Sequence, residues 1–181
     1  MTTMTQAQVI EAGTWEFDPV HSRVGFSVEY LAGTFHGTFA PFDATLEVDE
    51  EGTLALTGKA RVDSVQVADE NLGAHLLSPE FFDAERAPQI TFASKSVDLT
   101  GADVVVDGDV TIKGTTKPVR LTGTIGGPVI DPYGRRRVNV ELEATIDRSA
   151  FGGDWNTPLP SGEPALAEDV TLTAELAFFR S

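Results

Sequence analysis

The sequence predicts an all-β protein of eight antiparallel strands, and three observations lead to this prediction. Apolar and polar residues alternate over most of the 181-residue chain, which is the pattern of strands with one buried face and one wet face. The segments between these runs, such as LTGAD (99–103) and KGTTKP (113–118), are short and rich in turn formers, so neighbouring strands should pair antiparallel. One-sided antiparallel strands in this number form a closed up-and-down barrel or a two-sheet sandwich.

Eight alternating runs follow one another along the chain. Each places an apolar residue at every second position, and the runs cover residues 24–30, 42–48, 54–62, 90–99, 104–112, 119–125, 138–146 and 170–178. Within the run 90–99 the apolar residues change parity, and a β-bulge near Ala93–Ser96 would restore the buried face. A ninth strand results if Thr14–Phe17 or Thr34–Phe39 is counted separately. Residues 1–12 are expected to form a flexible N-terminal tail, which leaves a single domain over 13–181.

Several apolar faces become small near the middle of their strands. The small residues are Ala44, Gly58, Ala60, Gly108, Gly123, Ala144 and Ala174. Small side chains from many strands at a similar depth would leave a ligand cavity on the axis of a barrel. In the alternative interpretation, the glycines mark bends or bulges and the alanines fit a tapering core.

Two segments depart from the strand pattern. In DENLGAHLLSPEFFDAERAPQITF (69–92), the residues predict a short helix over 69–78, a further turn over 79–83 and a return to a strand after Ala87-Pro88. The segment Asp147–Glu168 is rich in glycine and proline and carries Phe151 and Trp155. Both segments are expected to close an end of the barrel, either as a lid over a binding site or as a plain plug.

The composition of the chain excludes several classes of binding partner and of structural feature. The formal net charge of -15 repels phosphate backbones, so no nucleic-acid partner is expected, and the run RRR (135–137) is too short to change this. The chain has no cysteine, which excludes disulfides and thiolate metal sites. The N-terminus has neither the basic nor the apolar region of a secretory signal, and no apolar run approaches the ~18 residues of a membrane span. A cytoplasmic protein without stable membrane insertion is expected.

The polar residues do not form a recognisable reaction centre. The chain has three histidines, His21, His36 and His75. Their spacing is not that of a zinc site. His21 and Ser22 are adjacent, so on a strand they would point to opposite faces and could not easily share a proton. Asp18-Pro19 is interpreted as a turn, with His21 partly buried and bonded to the backbone. No metal, no catalytic residue and no enzymatic activity are therefore expected.

One further charged pair has two interpretations. Asp147 and Arg148 lie where the last loop begins. They could form an internal ion pair at a strand end, or Arg148 could contact an anion at the mouth of a pocket. Both alternatives remain open from the residues alone.

Six motifs between residues 15 and 152 are specific in combination, within a resemblance that covers residues 14–180. They are W-x-F-D-P-V-H-S (15–22), F-H-G-T-F-A-P-F (35–42), H-L-L-S-P-E-F-F-D (75–83), A-P-Q-I-T-F (87–92), V-D-G-D-V-T-I-K-G-T-T-K-P-V (106–119) and I-D-R-S-A-F-G (146–152). With these motifs the sequence resembles the YceI family of lipocalin-like, polyisoprenoid-binding bacterial proteins. Many relatives carry Arg-Asp shortly before the His-Leu pair, whereas this chain has Leu72 and Gly73.

The resemblance implies an eight-stranded antiparallel lipocalin-like barrel with short helical insertions that cap one end. It also implies a long apolar tunnel for an isoprenoid chain, such as that of a quinone or its precursor. Some members bind other amphiphiles, such as fatty-acid derivatives, and some are periplasmic. Members can pair, so a homodimer is among the expected assemblies.

The resemblance, laid over the alternating strands, implies a set of ligand-binding residues. The tunnel wall would come from Phe26, Val28, Tyr30, Phe39, Phe92, Val110, Leu142 and Leu172. The cap would come from Leu76, Phe81, Phe82, Phe151 and Trp155. Polar head-group contacts at the mouth would come from His75, Arg148 and Asn156. Ordinary core packing is the alternative role for each wall residue.

These expectations combine into a function. The protein is expected to bind, transport or store a polyisoprenoid or related amphiphilic lipid, without catalysis and without a cofactor other than the bound isoprenoid itself. Burial of ~20 prenyl carbons would contribute roughly 16 kcal/mol, of which association and chain ordering take back about 4–15 kcal/mol. The alternatives are an enzyme that acts on a bound isoprenoid or fatty-acid derivative, and a stress-related structural barrel without a ligand.

Overall fold

A computed structural model of the chain describes residues 10–40, 42–78, 81–153 and 156–180. Within these ranges it contains one short helix, α1 (Glu70–Leu76), and three 3-10 turns over Pro19–His21, Val62–Ser64 and Arg148–Phe151. The described strands are β1 (Gly13–Phe17), β2 (Arg23–Tyr30), β3 (Gly33–Phe39), β4 (Phe42–Val48), β5 (Leu54–Arg61), β6 (Val65–Gln66), β7 (Gln89–Thr100), β8 (Asp103–Ile112), β9 (Thr115–Ile130), β10 (Arg136–Asp147) and β11 (Leu166–Arg180).

Eight of these strands close into an antiparallel barrel. The order around the ring is β1-β4-β5-β7-β8-β9-β10-β11, and β11 pairs back onto β1. Closure rests on the register Phe17↔Phe178 between the first and last strands. The predicted closed barrel is therefore confirmed, and the two-sheet sandwich is wrong.

The last strand changes its partner along its length, which makes the two barrel ends different. Phe178 and Phe179 of β11 face β1, whereas residues 170–175 face β2. From β2 the sheet continues to β3 and then to β6, where Phe39 faces Val65. Because β6 follows β5 after a 3-10 turn, strands β2, β3 and β6 complete the barrel at the end away from β1.

The predicted runs correspond to strands of the structure. The eight runs form β2, β4, β5 and β7 to β11, and both optional segments form strands of their own as β1 and β3. The predicted bulge is present, because the register of β7 against β8 shifts between Ser94 and Ser96. The hairpin between β8 and β9 turns at Lys113 and Gly114, which have φ of 54° and 75°, as a two-residue turn between twisted strands requires.

The half of the barrel that contains β1 is filled with side chains. At its centre lies a cluster of side chains that are each at most 2% exposed. They belong to Trp15, Leu46, Val106, Val138 and Phe178. We call this cluster and its immediate neighbours the packed half. Its rings interlock, since Phe17 lies 5.8 Å from Phe42 and 5.9 Å from Phe178 between centroids, in the edge-on arrangement that aromatic pairs prefer.

The ordered core begins earlier than the sequence predicts. Residues 1–12 were expected to form a flexible tail, but Ile10 is buried in the packed half. The backbone oxygen of Glu11 accepts a hydrogen bond of 3.0 Å from the Trp15 indole nitrogen. Its carboxylate lies 3.1 Å from Arg136 and 3.7 Å from Arg180. These contacts attach the segment to β10 and β11, while residues 1–9 lie outside the described ranges.

The turn between β1 and β2 is held by a buried carboxylate. Asp18 accepts hydrogen bonds from the amides of Val20 and His21, and its Oδ2 lies 2.7 Å from both Arg137 Nη1 and His21 Nδ1. Arg137 also donates to Asp131 at 2.8 Å. The predicted turn is confirmed, but the predicted environment of His21 is wrong. The ring is 66% exposed and contacts a carboxylate, because the 3-10 turn carries it outside the barrel.

Candidate functional site

A cavity of about 330 Å³ occupies the half of the barrel away from β1. This volume falls within the ~300–1,000 Å³ of typical small-molecule sites. Strands β2 to β5 and β7 to β11, helix α1 and the turn Arg148–Phe151 all contribute lining residues, which are predominantly aliphatic and aromatic. We call this part of the barrel the cavity half.

The boundary between the two halves crosses strands β4, β5 and β7 to β11, whereas β1 lies wholly in the packed half. On β5, Leu54 belongs to the packed half, whereas Gly58 and Ala60 line the cavity. On β10, Val140 is packed and Ile146 lines the cavity. Residues that belong to both the packed cluster and the lining form the floor, and its buried members are Ala44, Leu56, Leu142 and Leu176.

Helix α1 covers the opposite end of the cavity. The carboxylate of Asp69 accepts from the amides of Asn71 and Leu72 at 2.8 and 3.2 Å, which starts the helix. Leu76 is buried in a cluster with Phe26, Val28, Phe39 and Leu166. The helix therefore turns its apolar side onto the cavity.

The segment after α1 adds three aromatic contacts to this cover. The ring of Phe82 lies 6.2 Å from Phe26 and 5.9 Å from Phe39 between centroids. Phe81 meets His75 edge-on at 4.9 Å. Both phenylalanines line the cavity, so the cap and the barrel wall share one apolar surface.

The turn Arg148–Phe151 forms the second part of the cover. Asp147 begins the turn by accepting from the hydroxyl and amide of Ser149 at 2.6 and 2.9 Å. These hydrogen bonds hold the pKa of Asp147 below its usual range. Phe151 is buried against Val110 and Ile112. The side chain that closes this corner of the cavity is thus placed by a capped turn.

The guanidinium of Arg148 binds backbone carbonyls. Nε donates to Ala167 at 2.8 Å, Nη1 to Gly153 at 2.6 Å and Nη2 to Leu166 at 3.2 Å. Lys113 donates to the neighbouring carbonyl of Gly152 at 2.8 Å. Arg148 therefore fastens both ends of the long loop rather than forming the ion pair with Asp147 that the sequence suggested as one alternative.

Asn156 has a structural role within the same loop. Its side-chain oxygen accepts from the amides of Thr157 and Leu166, and its nitrogen donates to the carbonyl of Leu166 at 2.7 Å. It does not line the cavity. The prediction of Asn156 as a head-group contact is therefore not supported, because its two bonds to Leu166 join the ends of the loop and its bond to Thr157 is local.

Comparison with known proteins assigns the chain to a family. A family model described as a YceI-like domain matches residues 15–178. This chain belongs to the YceI-like family. The Escherichia coli protein YceI is 31% identical over 158 residues, covering 86% of this chain and 81% of the relative. The Salmonella newport protein YceI is 34% identical over 134 residues, with coverages of 72% and 70%.

Solved structures share the barrel. The crystal structure of BcnA from Burkholderia cenocepacia has a TM-score of 0.77 at 22% identity, and the match covers 90% of this chain and 99% of BcnA. A polyisoprenoid binding domain from Saccharophagus degradans has a TM-score of 0.63 at 13% identity, with coverages of 93% and 98%. At these identities the likeness establishes the YceI-like fold alone.

The structure brings nearly all of the predicted site residues of this YceI-like chain to one cavity. The lining includes Phe26, Val28, Tyr30, Phe39, His75, Leu76, Phe81, Phe82, Phe92, Val110, Leu142, Arg148, Phe151 and Leu172. Trp155 lies outside the described residues. Leu72 also lines the cavity.

The predicted set missed several lining residues that share a strand face with a residue it contains. Ile90 lies two positions before Phe92, and Val170 two positions before Leu172. The alternation that identified their neighbours would have identified these residues as well. Phe35 likewise shares a face of β3 with Phe39. Leu166 was missed for another reason, because a register shift between Leu166 and Val170 interrupts the alternation along β11.

The small mid-strand residues have two different roles. Ala44, Gly58, Ala60 and Ala174 line the cavity, as the cavity interpretation predicts. The other three do not line it, and at Gly108 and Gly123 a Cβ atom would overlap the backbone oxygens of Ala93 and Glu141, respectively. At these two positions the glycine permits close strand approach, which is the alternative interpretation.

Three lining residues with polar side chains lie towards the capped end, namely Tyr30, His75 and Arg148. Tyr30 ends β2 and faces Leu166, whose carbonyl binds Arg148. His75 belongs to α1, whose Leu76 shares a cluster with Leu166. Tyr30 is 39% exposed and Leu72 is 36% exposed, so they mark the mouth of the cavity.

The described residues also bear on metal binding and on membrane insertion. No group of three or more His, Cys, Asp or Glu side chains in the described ranges could hold a metal ion. No helix among the described residues is both long and apolar enough to cross a membrane.

Proposed function

We propose that the protein binds a polyisoprenoid or a related amphiphilic lipid, such as a quinone, in the cavity half and thereby carries or stores it. The observation that supports this most directly is the apolar cavity of about 330 Å³ with its polar side chains near the mouth. This arrangement suits a molecule with an apolar chain and one polar end. Membership of the YceI-like family and the fold shared with a polyisoprenoid binding domain also support it.

Burial of the chain would supply the affinity. Each methylene-like group removed from water contributes ~0.8 kcal/mol, and the wall offers aliphatic and aromatic contacts on every side. Head-group contacts would then set selectivity and add a smaller part of the binding energy. We propose binding rather than catalysis and no cofactor, so the ligand should be recovered chemically unchanged.

Filling the cavity tests the proposal. Ala60 is buried and points into the cavity, whereas Ala55 is exposed on the outer face of the same strand. We expect Ala60→Leu to weaken the binding of ubiquinone, menaquinone or a fatty acid about tenfold or more, because the larger side chain occupies ligand volume. Ala55→Leu is the matched control and should bind as the unaltered protein does.

The measurement is native mass spectrometry of the purified protein, followed by titration with the same lipids. Retention of full affinity by a folded Ala60→Leu variant would place the ligand elsewhere. Failure of the unaltered protein to bind any of these lipids would argue for the structural barrel without a ligand.

A further inference from the structure

The cavity ends at a wall of side chains half-way along the barrel. Leu56 faces Leu46 across β5 and β4, and Leu176 faces Val140 across β11 and β10. Leu46 and Val140 belong to the packed half. The floor residues therefore lie beside buried side chains of the packed half at the same depth, and a chain that reaches the floor meets filled space.

The layer of side chains behind the floor resists displacement. Trp15 and Phe178 are 1% and 0% exposed, and they lie in the packed half directly behind the floor. Interiors packed to crystal-like density accept added methylene groups poorly. A ligand chain would have to displace these rings to go deeper.

The volume of the cavity determines how many carbons of a ligand chain it can enclose. An apolar cavity of about 150 Å³ holds one benzene molecule, which has six carbons. At the same packing, the 330 Å³ of this cavity hold about thirteen carbons, or nearly three isoprene units. This is shorter than the ~20 prenyl carbons considered from the sequence alone.

The polarity of the lining determines which end of the ligand enters the cavity first. The floor residues Leu56, Leu142 and Leu176 are aliphatic, whereas Tyr30, His75 and Arg148 lie towards the mouth. A polar end group at the floor would lose its hydrogen bonds to water without replacement. The apolar end of the ligand therefore enters first.

We infer that the packed half limits chain length, so the protein fully encloses an amphiphile with a single chain of about three isoprene units, or a straight chain of similar size. A longer chain leaves its remaining units outside the mouth. The inference rests on the proposed function and adds to it the size class and the orientation of the ligand.

Competition between prenyl alcohols tests the inference. Equimolar geraniol, farnesol and geranylgeraniol, with two, three and four isoprene units, are added to the full chain, and native mass spectrometry reports the bound fractions. We expect farnesol to bind at least about tenfold more tightly than geraniol, because each buried carbon adds affinity. Geranylgeraniol should gain less than about threefold over farnesol, because its last unit finds no apolar wall.

Truncation of a floor side chain should increase the chain length that the cavity can enclose. We expect Leu176→Ala to raise the ratio of geranylgeraniol to farnesol binding by about threefold or more, because it removes floor atoms. Leu172→Ala is the matched control, since Leu172 lines the wall on the same strand. It should lower both affinities alike and keep the ratio. If Leu176→Ala does not fold, Leu176→Val provides the same test with a smaller change.

The outcomes separate the two proposals. In the unaltered protein, the gain in affinity from farnesol to geranylgeraniol could equal the gain from geraniol to farnesol. In that case the protein binds lipid, but the floor does not limit the length of the bound chain. An unchanged ratio in a folded floor variant also contradicts the inference. If neither the alcohols nor a fatty acid bind, the proposed function fails and the length limit fails with it.

Discussion

Asp18 shows how a single buried carboxylate can join distant parts of the chain. Its side chain binds its own turn through Val20 and His21, and it binds Arg137 on β10. Burial alone would raise its pKa, but the hydrogen bonds from Arg137 and His21 outweigh this and lower the pKa from 3.8 to about 2. A depressed carboxylate pKa means that the ionised form stabilises the folded state.

The Asp18→Asn variant tests this contribution. A pKa lowered from 3.8 to about 2 corresponds to about 2 kcal/mol, which is present above pH 4 and is lost as the pH falls towards 2. We expect the variant to lose about this free energy of unfolding in urea at pH 7 and little at pH 2. The difference between the two proteins should therefore shrink as the pH falls from 4 to 2.

Asp63→Asn is the control for this measurement. Asp63 binds Arg61 at 2.8 Å, but both side chains are exposed to solvent, where ion pairs contribute little. Its loss should leave the free energy of unfolding nearly unchanged. An equal effect of the two variants would mean that the buried position of Asp18 has no special importance.

At the scale of elements, the cap is continuous with the wall it covers. Helix α1 has seven residues, which is too short to be stable alone. Its stability comes from Leu76 and from Phe82, which packs on Phe26 and Phe39. The loop that begins at Arg148 is held by apolar contact of Phe151 and, in addition, by hydrogen bonds from Arg148 to carbonyl groups. The second part of the cover thus combines apolar contact with polar fastening.

Phe82→Ala distinguishes a lid from a plug. Removal of this half-buried ring should lower the free energy of unfolding by about 2 kcal/mol and should speed dissociation of a bound prenyl lipid several-fold. Dissociation is measured by competition with excess unlabelled lipid, and stability by urea unfolding. Tyr133→Ala, which removes an exposed ring on the β9–β10 hairpin, is the control. Lower stability with unchanged lipid affinity and dissociation would make the cap a structural plug.

At the scale of the whole molecule, the two halves of the barrel differ in how tightly their side chains are packed. The packed half contains the residues of lowest exposure, whereas the cavity half has apolar surface that faces empty volume. Loss of packing contacts lowers local stability. The cavity half should therefore open locally while the packed half stays folded.

Hydrogen exchange checks this division. We expect the amides of residues 138–141 on β10 to exchange at least about tenfold more slowly than those of residues 71–76 in α1, because the former open only with the whole barrel. Added farnesol should slow exchange in α1 and leave residues 138–141 unchanged. Uniform exchange across the two segments, measured by mass spectrometry, would contradict the division into halves.

Local pattern explains why so much of the fold could be predicted. Alternation identified the strands, and the parity change between Phe92 and Val97 located the bulge, because side chains on a strand alternate between its faces. The same parity placed Phe26, Val110 and Leu172 on the inner face, which the structure shows to be the cavity lining. Such signals are carried by residues that are close in sequence.

The failures involve partners that are distant in sequence. His21 was expected to be partly buried and bonded to the backbone, but it contacts the carboxylate of Asp18, which Arg137 holds from 119 residues away. Asn156 was assigned to the mouth, but its side chain hydrogen-bonds Leu166 on the returning segment. Arg148 does line the cavity, and its guanidinium also binds the carbonyls of Leu166 and Ala167. No local rule states which backbone groups a long loop brings together.

The strand set, the inward faces, the capping helix and the family could be predicted from local patterns in the sequence. Which half of the barrel is filled depends on how the strands pair, because alternation is the same on both sides of the floor. That outcome depends on register: Leu56 opposite Leu46 and Leu176 opposite Val140 bring large side chains to one depth. Ala44 opposite Gly58 brings small ones to the next. Cavity volume is a property of residues that meet across the barrel, so it arises only when the strands have paired.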